Sequence, residues 1–88
     1  MTQDLTALRN QIDQIDDGIL ALLDQRMDLA KHVAEAKKET GKSILDTERE
    51  AQLLERLKSK VHDKNYSDEK ILEIWGKIIE LSRDVQRS

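Results

Sequence analysis

Cysteine, proline and phenylalanine are all missing from this 88-residue chain, and its aromatic side chains are Tyr66 and Trp75 alone. Each absence removes a class of function. Without cysteine there is no disulfide framework and no thiolate zinc site. His32 and His62 stand thirty positions apart, so no metal cluster is expected. Two aromatics provide no platform for stacking bases. A net charge of −3, with both signs interspersed, opposes binding to a phosphate backbone. A nucleic-acid partner is therefore not expected. No apolar run approaches the roughly 20 residues of a membrane span, and Met1-Thr2-Gln3-Asp4 lacks a basic start leading into an apolar segment. A cytoplasmic protein is the expectation. Nucleophile triads, glycine-rich phosphate loops and metal-ligand motifs are absent as well, which removes support for covalent and metal-assisted mechanisms.

What is present is helical periodicity. From Leu5 to Thr40 the chain shows apolar residues at Leu5, Leu8, Ile12, Ile15, Ile19, Leu22, Leu29, Val33 and Ala36, in steps that alternate three and four. That spacing predicts one long helix over about residues 4–40, started by Asp4 and stopped at Gly41. At 1.5 Å per residue it would run for about 54 Å, far beyond a compact 88-residue globule with a radius of gyration near 12 Å. Part of this helix must overhang its own chain, and a second chain is the natural cover. Thr47 and Glu50 form a capping-box pattern that opens a second helix over about 47–62 with Leu53, Leu54, Leu57 and Val61 inward. The stretch His62–Asn65 reads as a turn. Ser67 opens a third helix to about residue 86, with Ile71, Leu72, Trp75, Ile78 and Ile79 in register. The expected architecture is all-α: one domain over residues 1–88, three helices, the first much the longest.

Several polar residues sit where these stripes call for apolar ones. Arg26 fills the seam slot between Leu22 and Leu29. Lys37 follows it by eleven residues, about three turns, so both point the same way some 16 Å apart. Projecting the second stripe backwards reaches Arg49 and Glu50, and projecting the third forwards reaches Ser82 and Gln86. Singly, each has an ordinary explanation: a register device for Arg26, helix capping for Asp46, Arg49 and Glu50, a polar terminus for Ser82 and Gln86. Together they describe a cationic pocket furnished with an amide, a hydroxyl and a carboxylate. Such a pocket suits a small dicarboxylate held in one conformer. Arg9 lies about 25 Å along the helix and about 100° around it from Arg26. It can reach the same ligand only from a second copy of the chain.

At this point the sequence resembles the all-helical, AroQ-type chorismate mutase family over nearly its whole length. The resemblance is carried by Leu8-Arg9 with Ile12 and Asp16, Leu22-Leu23-Asp24-Gln25-Arg26, Ala34-Glu35-Ala36-Lys37, Asp46-Thr47-Glu48-Arg49-Glu50, Leu53-Leu54-Glu55-Arg56-Leu57, and Ile78-Ile79-Glu80-Leu81-Ser82 with Gln86. It implies an intertwined homodimer and a cofactor-free Claisen rearrangement of chorismate to prephenate. It further implies that Arg26 and the partner's Arg9 hold the two carboxylates with help from Ser82. Lys37 and Gln86 would donate to the ether oxygen, Asp46 (through its backbone) and Glu50 would orient the ring hydroxyl, and Arg49 would add positive potential. The loop Lys42–Leu45 departs from the family by carrying Ser43 where proline is common. Two other readings are compatible with the residues: an isochorismate pyruvate lyase, which resembles this fold, and a non-catalytic helical dimerisation module.

Overall fold

A computed structural model of the protein describes residues 4–61 and 66–88. It comprises α1 (Leu5–Thr40), α2 (Thr47–Val61) and α3 (Asp68–Arg87), with no strand among the described residues. The turn expected at His62–Asn65, and the last residue expected for the second helix, lie outside that range.

Local chemistry sets the helix ends. Asp4 caps α1, its side chain accepting from the Thr6 N–H at 3.2 Å. At the other end Gly41 adopts φ 72°, a left-handed conformation that a residue with a Cβ adopts reluctantly. This lets the Lys42 N–H reach back to the Lys37 carbonyl at 2.8 Å and close the helix. The start of α2 differs from the expected capping box. Asp46, not Thr47, is the cap: its Oδ1 accepts from the Arg49 N–H at 3.0 Å and its carbonyl from the Glu50 N–H at 3.0 Å. Asp and Thr stood side by side, and the carboxylate outcompetes the hydroxyl for the helix's positive end. Thr47 becomes the first helical residue, which releases Glu50 from capping duty. Ser67 caps α3 by accepting from the Lys70 N–H at 3.3 Å.

The third helix holds the molecule together. It packs against both α1 and α2, which do not approach each other closely. Its inward residues Ile71, Leu72, Trp75, Ile78, Ile79, Ser82, Val85 and Gln86 are all wholly or partly buried. Even so, the described hydrophobic core consists of only Ala30, Leu53, Val61 and Ile79.

On α1 the structure corrects the single-stripe reading. The face turned to α3 carries Leu23, Arg26, Met27, Ala30, Ala34 and Lys37. The stripe Leu5, Ile12, Ile15, Ile19, Leu22, Leu29 and Val33 lies open, from 46% exposed at Val33 to 64% at Leu22. Arg26 is thus not a seam residue of that open stripe. It sits on the flank where the wide apolar arc turns from the open face to the covered one, two faces that a three–four spacing merges into one. The molecule measures 60 × 26 × 14 Å, with a radius of gyration of 16.7 Å against about 12 Å for a compact chain of this length. Its accessible surface of 7388 Å² exceeds by roughly 2,000 Å² what a folded monomer of this mass exposes. Among the described residues, no helix is long and apolar enough to cross a membrane.

Candidate active site

Because α1 and α2 both lean on α3 without meeting, a wedge opens between them with α3 as its floor. That wedge is a cavity of 370 Å³, within the size range of small-molecule sites. Leu29, Ala30 and Val33 of α1, Leu53 of α2 and Ile79 of α3 supply its apolar walls. Into it the structure brings Arg26, Lys37, Asp46, Arg49, Glu50, Ser82 and Gln86, seven of the eight residues singled out from the sequence. Arg9 is not among them: it is exposed on the overhanging part of α1, about 25 Å from Arg26 along the helix.

A hydrogen-bonded chain crosses one end of the cavity. Lys37 Nζ donates to the Ile44 carbonyl at 2.7 Å and to Gln86 Oε1 at 3.0 Å. Gln86 Nε2 in turn donates to Ser82 Oγ at 3.3 Å. An ammonium can only donate, so the amide oxygen must face Lys37 and the amide nitrogen must face Ser82. Lys37 has spent two of its three donors, Gln86 one of its two, and Ser82 has accepted while keeping its own O–H. Among the described residues, each member therefore retains one free donor. The chain also ties the Lys42–Leu45 connection and the last turn of α3 to α1, fixing Gln86 near the C-terminus.

The rest of the site is dominated by positive charge. Burial, and after it the neighbouring Arg49 guanidinium, lower the pKa of Arg26 from its ordinary value. The cavity therefore disfavours the charged form of Arg26, which an anion placed beside it would favour. Asp46 Oδ1 is occupied by the cap on Arg49, which leaves Glu50 as the other acid of the cavity. Glu50 lies against Arg83, with Nε 3.3 Å from Oε2 and the two side chains only 27% and 24% exposed. Arg83 also lines the cavity and was not singled out from the sequence, although a four-residue step from Ile79 along the α3 stripe lands on it. The Ile44 carbonyl was likewise missed, since a backbone acceptor in a loop leaves no mark in residue types.

The chain matches the family described as chorismate mutase type II over residues 8–87. It is 34% identical over 87 residues to the chorismate mutase of Methanocaldococcus jannaschii, covering 99% of this chain and 88% of that one. A bifunctional chorismate mutase/prephenate dehydratase from Aquifex aeolicus is 36% identical over 80 residues, spanning 88% of this chain but only 22% of the larger enzyme. Among solved structures, form II of the chorismate mutase of Thermus thermophilus superimposes with a TM-score of 0.90 at 27% identity. That match covers 97% of this chain and 96% of the other.

Proposed function

The chain belongs to the chorismate mutase type II family, and from that premise we propose that residues 1–88 form one catalytic domain whose site is the wedge between α1 and α2. The protein is a chorismate mutase, an isomerase that rearranges chorismate to prephenate. The observation that carries the site assignment is the convergence of Arg26, Lys37 and Arg49 with Ser82 and Gln86 in one cavity whose hydrogen-bonded chain keeps unspent donors.

In this reading Arg26 and the Ser82 hydroxyl bind one carboxylate of chorismate, and Arg49 adds potential beside it. During the rearrangement one carbon–oxygen bond breaks as one carbon–carbon bond forms, and the ether oxygen gains negative charge. The remaining donors of Lys37 and Gln86 meet that charge as it develops, an interaction stronger in the transition state than in the ground state. Glu50, with the Asp46 backbone, receives the ring hydroxyl. No nucleophile and no proton transfer are needed.

The reading also requires a second chain. The cavity opens beside the exposed Leu22, Leu29 and Val33, so a partner helix laid on that stripe closes the site and brings its own Arg9 to the second carboxylate. The surplus of exposed surface supports an obligate dimer, whose interfaces bury thousands of Å² in total. The test is to follow the loss of chorismate absorbance and identify the product. Prephenate supports the mutase, pyruvate would indicate lyase chemistry, and no turnover would leave only a helical dimerisation module.

A further inference from the structure

Arg83 is the one cation of the cavity without a place in the mechanism above. Its Nε is buried and finds no hydrogen-bond partner among the described residues, although Glu50 Oε2 lies 3.3 Å away, close enough for charge attraction. A buried guanidinium N–H left unsatisfied calls for a reason. Glu50 poses the complementary problem: an acceptor-only group in a cavity meant for a dianion repels the very ligand the other residues attract. Asp46 does not share this problem, since its carboxylate is committed to the cap of α2. Among the described residues no hydrogen bond is made to Glu50 Oε1.

We propose that Arg83 is a positioning residue, which offsets the charge of Glu50 and fixes its carboxylate so that Oε1 can receive the ring hydroxyl of the substrate. The inference rests on the substrate reading given above and extends it to a side chain on α3. The ion pair crosses from α3 to α2, so it holds the acceptor at a set distance from Ser82 and Gln86, which stand on the same helix as Arg83. The unsatisfied Nε fits this role, since site hydrogen bonds often tighten only when substrate binds. A hydroxyl bound at Oε1 would leave Oε2 to face Nε, so that one carboxylate serves both donors. Arg83 therefore selects for the hydroxyl end of the substrate without touching it.

The experiment compares the wild type with Arg83→Met and Arg83→Lys on two compounds, chorismate and a chorismate analogue lacking the ring hydroxyl. With chorismate, Arg83→Met is expected to raise KM by roughly 10- to 100-fold with kcat little changed, because the hydroxyl contact is made in ground and transition states alike. Arg83→Lys should recover part of that loss. With the analogue, wild type and Arg83→Met should differ by less than about threefold, and in a Glu50→Gln background the Arg83→Met change should add little. A loss of equal size on both compounds would show that Arg83 acts on the carboxylates or the fold, and would overturn the proposal. An Arg83→Met enzyme equal to wild type on chorismate would overturn it too. Failure of the wild type to turn over chorismate would instead refute the substrate assignment, and the inference with it.

Discussion

A guanidinium held half-buried beside a second guanidinium works against the fold that holds it. Arg26 is in that position, its charge disfavoured first by burial and then by Arg49. Replacing it with leucine is expected to leave thermal stability unchanged or raise it by up to about 2 kcal/mol, since an uncompensated charge gives way to apolar packing. The same change should lower kcat/KM by a factor on the order of 100 or more. Thermal melts at fixed protomer concentration, set beside rates on chorismate, would reveal whether the two effects part in this way. A drop in stability would mean that Arg26 is structural. Lys37 should behave differently, because it anchors the Ile44 carbonyl and Gln86 at once. Lys37→Met is expected to lose activity and also to destabilise by roughly 1–3 kcal/mol, as two acceptors lose their donor. Most of the site was legible in the sequence because Arg26, Lys37, Glu50, Ser82 and Gln86 are polar residues on or beside apolar helical stripes. Arg83 hid in plain sight, following Ser82 by one residue on a helix otherwise rich in surface charge.

Element boundaries separate what pattern can say from what competition decides. The three apolar stripes mark three helices, and those of α2 and α3 match the faces the structure covers. The sequence offers two caps for α2, because Asp46 and Thr47 both suit the position, and spacing alone favours the Thr47–Glu50 pair. The hydrogen bond from the Arg49 N–H to Asp46 settles the competition and yields a clean contrast. Asp46→Ala should cost about 1 kcal/mol, a fall in Tm of about 4–8 °C for a chain of this size. Thr47→Ala should stay within about 0.5 kcal/mol of wild type. Equal losses in the two melts would restore the capping box. On α1 the failure was of a different kind: a broad apolar arc serving two partners looks, in one dimension, like a single seam.

The whole molecule is extended, thinly cored and open along the helix that makes it so. If two chains close each other's sites, the defects of Arg9→Ala and Arg26→Ala should complement one another. Each mixed dimer would carry one site with both arginines and one with neither, so random re-pairing should restore about a quarter of the wild-type sites. Mixed samples no more active than the separate variants would rule out a shared site. Dilution offers a second check, since an obligate dimer melts at a temperature that rises with protomer concentration. The open half of α1 also has a consequence for how each chain comes into being. An amphipathic helix of about eighteen residues whose apolar face is left uncovered is marginal in water. Between leaving the ribosome and meeting a partner, the segment Leu5–Leu22 would be only partly helical and open to proteases. The cell's supply of like chains would then set how long each newborn one stays at risk.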